Sequence, residues 1–327
     1  PWSMSDRDTI LSVENLSVHF RLGGGVFSRA SIVRAVENVS FALQRGETLS
    51  IVGESGSGKS TLARAVLRLV AITKGSVILN GENLAQLSNN EVRKRRQNMQ
   101  MVFQDPIASL SPRRTVEQII AEPLMVHQPE LSGEERSAKV RDTMDAIGLL
   151  PDMRNRYPHE FSGGQAQRIG IARALIVEPT LLVADEPVSA LDVSIQAQVL
   201  NLLSDIKRQR SLSLLFISHD LSVVQHVSDR LLVLYLGHVM EVGAAKDIYA
   251  NPQHPYTKAL LSAVPTIDFS ANKPKRTRLT GELPSPTVEH VGCPFASRCP
   301  MAQAICNEQK PQLNTVEGRD VACHFPG

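Results

Sequence analysis

The chain has 327 residues, of which 42% are hydrophobic and 21% charged, as in an ordinary globular protein with one large core and a smaller appendage. Its formal net charge of +2 gives no electrostatic argument for nucleic acid as the main partner. No apolar run approaches the roughly 20 residues that a transmembrane helix needs. With no secretory signal visible either, we expect a cytosolic protein whose membrane role would come through a partner.

The first part of the chain predicts strands that lead into a glycine-rich loop. Ile10–Phe20 is typical of an opening strand, and Val33–Leu43 of a second strand with alternating apolar residues. A short apolar strand, Thr48–Val52, comes directly before the loop. After the loop, apolar residues at helical spacing predict a helix over Thr61–Leu69.

The loop itself has the phosphate-binding pattern Gly-x-x-x-x-Gly-Lys-Ser/Thr. Its residues are Gly53, Glu54, Ser55, Gly56, Ser57, Gly58, Lys59, Ser60 and Thr61. The glycines let successive backbone N–H groups point at one centre, and the helix start adds unpaired donors and a positive dipole end. Lys59 can reach the β- and γ-phosphates, and the Ser60 hydroxyl suits a Mg²⁺ ligand. This stretch therefore predicts binding of a nucleoside triphosphate.

The middle of the chain becomes helical. Strands are predicted near Ser76–Leu79 and Gln100–Phe103, before the change of character. Residues 105–160 then carry helical patterns over Val116–Ala121 and Gly133–Gly148, and prolines at 123, 129, 151 and 158 are expected to interrupt them. We interpret 105–160 as an all-helical insertion within an α/β core.

A second anion-binding pattern follows the insertion. Its residues are Phe161, Ser162, Gly163, Gly164 and Gln165, ahead of a predicted helix over Gly164–Ile176. Ser162 has N-cap chemistry, and the glycine pair allows an anion to approach the backbone closely. A second anion-binding helix start is unexpected in a chain that has one phosphate loop. It is explained if two molecules meet head to tail, so that each covers the γ-phosphate bound by the other.

Two adjacent carboxylates end the next apolar strand, predicted at Thr180–Ala184. Because consecutive strand residues point to opposite faces, Asp185 and Glu186 should have different roles. One can hold the Mg²⁺ shell while the other takes a proton from the attacking water.

Alternating strands and helices continue beyond these carboxylates. They are predicted as a helix at Ile195–Arg210, a strand at Ser213–Ser218, a helix at Leu221–Val227 and a strand at Arg230–Leu236. Such alternation predicts a mostly parallel sheet covered by helices. After Asp247 the chain is rich in proline, and we expect a tail of low regular structure.

In type and order, these motifs resemble those of the ATP-binding cassette (ABC) ATPases, over residues 10–245. The resemblance implies an α/β fold: a P-loop NTPase (RecA-like) core with an N-terminal antiparallel β subdomain, a helical insertion and a loop-rich C-terminal tail domain. Phe161–Gln165 matches the signature motif, with Phe where Leu is commoner, and would bind ATP in trans.

The resemblance also assigns one residue to each remaining part of an ATP site. These are Phe20 on the adenine, Gln104 of the Q-loop at Mg²⁺ or water, Asp185 at Mg²⁺, Glu186 as catalytic base, Asp192 of the D-loop in trans, and His219, the switch histidine, at the γ-phosphate. The implied catalytic set is Glu186, His219, Lys59 and Gln104, and the implied Mg²⁺ set is Ser60, Gln104 and Asp185.

Residues 246–327 resemble the C-terminal region of ATPases from di- and oligopeptide importers and their nickel-importing relatives. The resemblance is carried by Asn251–Leu261, Leu279–Pro286 and Gly292–Pro300. It implies an ATPase subunit of a bacterial peptide importer, with nickel, glutathione or opines as alternative cargoes. A soluble ABC ATPase acting on nucleic acid or ribosomes and an exporter cassette are the alternatives from other classes.

Four cysteines lie in this tail, at Cys293, Cys299, Cys306 and Cys323. Their clustering in a cytosolic chain favours a metal or cluster site over disulfides, and the spacing lacks the tight C-x2–4-C pair usual in zinc fingers. The residues alone leave open an iron–sulfur cluster, zinc, or free thiols. The importer resemblance implies a four-iron cluster in a structural role.

The same resemblance implies the assembly. We expect a second, homologous ATPase subunit, two transmembrane permease subunits and an extracytoplasmic solute-binding protein, with no nucleic acid. The chain would then be peripheral, at the cytoplasmic face of the inner membrane.

Overall fold

The structure, a computed structural model, describes residues 8–23, 31–264 and 284–327, so most of the predicted pattern at Leu279–Pro286 lies outside the described residues. The strands are β1 (Thr9–Leu22), β2 (Ser31–Gln44), β3 (Thr48–Val52), β4 (Lys74–Leu79), β5 (Glu82–Asn83), β6 (Met99–Val102), β7 (Leu181–Asp185), β8 (Ser213–Ile217), β9 (Arg230–Tyr235), β10 (His238–Ala244), β11 (Asn314–Val316) and β12 (Arg319–Val321). The helices are α1 (Lys59–Val66), α2 (Asn89–Arg95), α3 (Val116–His127), α4 (Gly133–Ala146), α5 (Gly163–Leu175), α6 (Val193–Arg210), α7 (Leu221–Val227), α8 (Ala245–Ala250), α9 (Pro255–Ser262) and α10 (Ala304–Glu308).

The chain divides into two units that each draw on separate stretches of sequence. The described residues of the first unit are 8–10, 43–47 and 86–217. Those of the second unit are 11–23, 31–42, 48–85, 218–264 and 284–327. Across these ranges every helix is too short or too polar to cross a lipid bilayer.

The second unit carries an antiparallel sheet and a mixed one. In the antiparallel sheet the strand order is β2-β1-β4-β5, and Val13 of β1 lies opposite Val77 of β4. In the mixed sheet the order is β11-β12-β10-β9-β3, with β3 and β9 parallel and Val52 beside Val233. All residues of β3 are buried, including the polar Thr48 and Ser50, as expected for a parallel strand that is covered on both faces.

The first unit contains the parallel strands β6, β7 and β8. Met99 of β6 pairs with Leu181 of β7, and Leu181 pairs with Ser213 of β8. Every residue of β7 and β8 is buried, as expected for parallel strands. The predicted mostly parallel sheet and antiparallel β subdomain are thus confirmed.

Helices α3 and α4 lie within residues 105–160, and each begins at a capping box, Thr115 with Gln118 and Ser132 with Glu135. The prediction that Pro123 interrupts the first helix is wrong, because α3 continues through it to His127. Proline removes a single helical hydrogen bond. Buried Ile119, Ile120 and Leu124 and the packing of α3 against α5 offset that loss.

The C-terminal segment is more regular than predicted. A two-residue turn at Leu236 and Gly237, both with positive φ, returns β9 into the unpredicted strand β10. β12 then pairs with β10 through Glu241 and Val321, and β11 pairs with β12. The tail therefore extends the mixed sheet of the second unit, although residues 284–313 contain only short helical turns.

Candidate active site

The phosphate loop lies in the second unit, between β3 and α1, and its glycines are required by close backbone contacts. A Cβ on Gly53 would lie 2.1 Å from the carbonyl oxygen of Leu234. Gly58, with φ of 102°, would place a Cβ 2.2 Å from the carbonyl oxygen of Ala35. Neither position accepts a side chain, so the loop is held in one shape by its neighbours.

Lys59 lies across this loop. Its Nζ donates to the carbonyl oxygens of Gly53, at 2.8 Å, and Glu54, at 2.9 Å, and the residue is only 5% exposed. Ser60 and Thr61 follow in the first turn of α1, half-buried. The Lys59 ammonium is thus fixed at the mouth of a helix N-terminus, which suits it to bind phosphate.

His219 also belongs to the second unit. The N–H of the preceding Ser218 donates to the carbonyl oxygen of Ile51 in β3, at 3.3 Å. The following Asp220 caps α7 through the backbone N–H groups of Ser222 and Val223. Both neighbours of His219 are therefore fixed, and its own side chain is exposed.

The carboxylates Asp185 and Glu186 lie in the first unit, at the end of β7. Asp185 is 2% exposed, whereas Glu186 is half-buried and has φ of 48°. Gln104, two residues after β6, donates from Nε2 to Oε2 of Glu186 at 3.0 Å. The structure thus brings the predicted Q-loop glutamine and the predicted base into direct contact.

The signature residues also lie in the first unit. Ser162 caps α5: its Oγ accepts from the Gln165 N–H at 3.4 Å, and its own N–H donates to Oε1 of Gln165 at 3.0 Å. A Cβ on Gly164 would lie 2.4 Å from Cγ2 of Ile195 in α6. Asp192, exposed, is the N-cap residue of α6 without a side-chain capping bond.

The predicted ATP-site residues are therefore distributed over both units. The second unit holds Phe20, Gly53, Glu54, Ser55, Gly56, Ser57, Gly58, Lys59, Ser60, Thr61 and His219. The first unit holds Gln104, Phe161, Ser162, Gly163, Gly164, Gln165, Asp185, Glu186 and Asp192. Phe20, near the end of β1, is 38% exposed, as an aromatic that stacks on a base must be.

All four cysteines are free thiols and line one small cavity of the second unit, together with Phe295 and Met301. The Cys293 N–H donates to the Cys306 carbonyl oxygen at 2.8 Å. Burial raises the pKa of Cys293 to about 11, and the charges of the other three thiolates add to the shift. Burial likewise raises the pKa of Cys299 and Cys323. Burial thus favours the neutral thiol at Cys293, Cys299 and Cys323.

The described residues contain no group of three or more His, Cys, Asp or Glu side chains arranged to hold a single metal ion. The zinc alternative and the four-iron cluster therefore both stay predictions, and the described residues show four thiols around one cavity.

Two contacts to the phosphate loop were not predicted. The Glu54 N–H donates to the hydroxyl of Tyr256 at 2.9 Å, and the Glu54 carboxylate pairs with the guanidinium of Arg298. Both partners come from the C-terminal segment. No local pattern signals either contact, because the paired residues lie more than 200 positions apart.

Comparisons with known proteins agree with this geometry. The family model described as ABC transporter matches residues 36–189, and the model described as oligopeptide/dipeptide transporter, C-terminal region, matches residues 240–306. The oligopeptide transport ATP-binding protein OppF of Salmonella typhimurium is 51% identical over 324 residues, covering 98% of this chain and 97% of its own. AppF of Bacillus subtilis is 51% identical over 325 residues, covering 98% of both chains.

Solved structures give the same assignment for the nucleotide-binding part. A dimeric ATP-binding cassette in a post-hydrolysis state, bound to ADP and Pi, has a TM-score of 0.65 and 29% identity, covering 72% of this chain and 99% of its own. The cassette cbiO1 of Clostridium perfringens has a TM-score of 0.64 and 26% identity, covering 74% and 91%.

The matched family model and the cassette structures show that this chain is an ATP-binding cassette ATPase, and the phosphate loop and the Gln104–Glu186 contact agree with that class. The near full-length similarity narrows the class further: the chain belongs to the family of oligopeptide transport ATP-binding proteins.

Proposed function

We propose that this chain hydrolyses ATP to drive the uptake of oligopeptides through partner permease subunits. The observation that carries the proposal is the similarity to peptide transport ATP-binding proteins over 98% of the chain, including the C-terminal region. The direct contact between Gln104 and Glu186 and the fixed phosphate loop support an active ATPase.

In this proposal each part of the ATP site has a separate task. Lys59 and the loop N–H groups bind the β- and γ-phosphates, and Phe20 stacks on the adenine. Glu186 accepts the proton of the attacking water, oriented by Gln104, while His219 contacts the γ-phosphate. The hydroxyl, amide and carboxylate oxygens of Ser60, Gln104 and Asp185 suit Mg²⁺, which would neutralise phosphate charge.

The signature would act on ATP held by a second ATPase subunit. Ser162 already orders the start of α5, so its hydroxyl and the N–H groups after it form a prepared anion site. Phe161–Gln165 and Asp192 would meet the partner in trans, and we propose a homologous rather than identical partner. A cassette of known dimeric structure with 29% identity supports the pairing of two cassettes, and says nothing of whether the two are identical.

The remaining features of the assembly follow from the importer assignment. We propose a nucleotide-binding domain at 10–245, with its helical subdomain at 105–160, and a C-terminal domain at 246–327. The chain would lie at the cytoplasmic face of the inner membrane, where an extracytoplasmic solute-binding protein supplies cargo from the opposite side.

We further propose that Cys293, Cys299, Cys306 and Cys323 hold a four-iron cluster. The supporting observation is the one cavity that all four thiols line. Anaerobic purification followed by iron and sulfide analysis tests this: Cys306→Ser should lose the bound iron, while Ser297→Ala, an exposed neighbour, should retain it. Iron absent from wild-type protein would contradict the proposal.

The function itself is tested by Glu186→Gln in the complex with permeases, reconstituted in vesicles. ATP hydrolysis and uptake of a labelled peptide should both fall at least ~100-fold, as when a general base is lost, while ATP binding persists. Glu178→Gln, at an exposed carboxylate, is the control. The same uptake assay with nickel or glutathione in place of the peptide distinguishes the alternative cargoes. Full ATPase turnover in Glu186→Gln would contradict the assignment of Glu186 as the base.

A further inference from the structure

The phosphate loop contains a negative charge of its own. Glu54 is the second residue of a loop whose backbone donors and lysine are arranged to bind the phosphates of ATP. A carboxylate at this position repels the same phosphates, because like charges at short range in a partly desolvated site interact strongly. The loop's own cation, Lys59, donates to the carbonyl oxygens of Gly53 and Glu54, whereas the Glu54 carboxylate pairs with a cation from outside the loop.

Arg298 supplies this charge from the cysteine-bearing segment. Its Nη1 lies 2.6 Å from Oε2 of Glu54 and its Nη2 lies 3.0 Å from Oε1, the bidentate geometry of a strong carboxylate pair. The Arg298 side chain is 7% exposed and that of Glu54 is 27% exposed. The pair is thus largely shielded from solvent, unlike an ordinary surface ion pair.

The position of Arg298 is itself fixed by several contacts. Its guanidinium lies 5.8 Å from the ring centroid of Tyr235, and Nη1 lies 3.4 Å from the Tyr235 hydroxyl. Its N–H donates to the carbonyl oxygen of Phe295, whose buried ring packs against both Tyr235 and Tyr256. The Arg298 guanidinium is the donor in both hydrogen bonds to the Glu54 carboxylate, and an arginine side chain keeps its positive charge in a folded protein.

Tyr256 holds the backbone of the same residue. Its hydroxyl, on a fully buried side chain, accepts the Glu54 N–H at 2.9 Å. The Glu54 peptide is thereby turned towards the C-terminal segment, and the Glu54 side chain towards Arg298. The backbone N–H and the carboxylate of Glu54 are thus both bound by residues of the C-terminal segment, Tyr256 and Arg298.

We propose that Arg298 is a positioning residue of the ATP site: it neutralises Glu54 and draws its carboxylate away from the bound phosphates. The C-terminal segment is then an electrostatic part of the nucleotide site. This inference rests on the proposed ATP binding but not on the identity of the cargo.

The proposal predicts opposite effects at the two ends of one ion pair. Arg298→Gln leaves the Glu54 carboxylate beside the phosphates and should raise the Kd for ATP roughly tenfold, whereas Glu54→Gln leaves an unpaired cation and should lower it about threefold. The double variant should bind within about twofold of wild type. The defect of Arg298→Gln should also shrink in high salt, because the repulsion is screened.

The experiment measures ATP Kd and the KM for ATP with the full chain. Arg298→Lys, which keeps the charge, should recover most of the affinity, and Arg208→Gln, which removes an exposed ion pair with Asp205, is the matched control. A merely structural Arg298 would lower the active fraction, and thus kcat, without raising KM.

Three results would overturn the proposal. They are an unchanged Kd in Arg298→Gln, an Arg298→Gln defect that Glu54→Gln does not correct, or weaker ATP binding in Glu54→Gln alone. The measurement on Glu54→Gln alone still tests the proposal if Arg298→Gln fails to fold. If the ATP Kd values of these variants are as expected but the wild-type transporter takes up no peptide, the proposed cargo is wrong. The electrostatic role of Arg298 is then unaffected.

Discussion

The signature glycine Gly164 offers a test that separates packing from function. A Cβ at this position would lie 2.4 Å from Cγ2 of Ile195, a distance that real Cβ atoms do not adopt. At Gly163 the nearest atom, Cδ2 of Leu191, would lie 3.5 Å away, an ordinary contact. The chain therefore has room for a Cβ atom at Gly163 but not at Gly164.

The expected cost of Gly164→Ala follows from these distances. Overpacking of this size costs about 1–3 kcal/mol, while alanine in a helix recovers about 1 kcal/mol relative to glycine. We expect a loss of about 1 kcal/mol in the free energy of unfolding. Ile195→Ala removes the clashing Cγ2, so the double variant should be more stable than the sum of its single changes predicts.

Urea unfolding and ATPase activity of the assembled transporter should respond differently. If Gly164 serves close approach to the phosphate of a partner subunit, the double variant is more stable than additivity predicts but has no more ATPase activity than Gly164→Ala. Gly163→Ala controls for stability alone and should change it by less than about 1 kcal/mol. Wild-type ATPase activity in the stabilised double variant would refute this reasoning and assign the glycine to packing.

Three further predictions test the second unit. Gly58→Ala should abolish ATP binding and lower the thermal midpoint, because its Cβ would lie 2.2 Å from the Ala35 carbonyl oxygen at φ of 102°; isothermal titration and a thermal melt measure both. Glu241→Leu should cost about 3–5 kcal/mol in urea unfolding, because the carboxylate is fully buried and accepts the N–H groups of Gln253 and His254, each at 3.0 Å; a loss below 1 kcal/mol would contradict this. Burial, with the charges of Lys310 and His290, lowers the pKa of His238 from 6.5 to about 3, so the unfolded chain binds the proton more readily between these values. Stability from neutral His238 is complete above pH 6.5 and falls by about 1.4 kcal/mol per pH unit below it, and His238→Gln should flatten that slope.

The sequence predicted correctly those strands and helices whose pattern lies within a few neighbouring residues. The strand Thr48–Val52 and the helix Leu221–Val227 have the predicted bounds, because a buried apolar run and a capped helical period are readable from neighbours alone. Helix α3 was predicted too short, since the propensity of Pro123 was weighed without the packing that overrides it. The turn at Leu236 and Gly237 needs positive φ at a leucine, which composition does not signal.

Long-range contacts were beyond any local pattern. The sequence placed Glu186 and Gln104 in one site through family motifs, but their 3.0 Å contact across 82 residues depends on the pairing of β6 with β7. The same holds for Arg298, which on sequence is only a basic residue between two cysteines. Its role becomes visible when the fold places it beside Glu54.

The phosphate loop and the predicted catalytic residues Gln104 and Glu186 belong to different units. The phosphate loop, the aromatic group around Tyr256 and the four cysteines all belong to the second unit, whereas Gln104 and Glu186 belong to the first. Arg298 comes directly before Cys299, at the end of one short turn of the second unit. If the proposed roles of Arg298 and of the cysteines both hold, loss of the group bound by the cysteines should alter ATP affinity before it alters the step at Glu186.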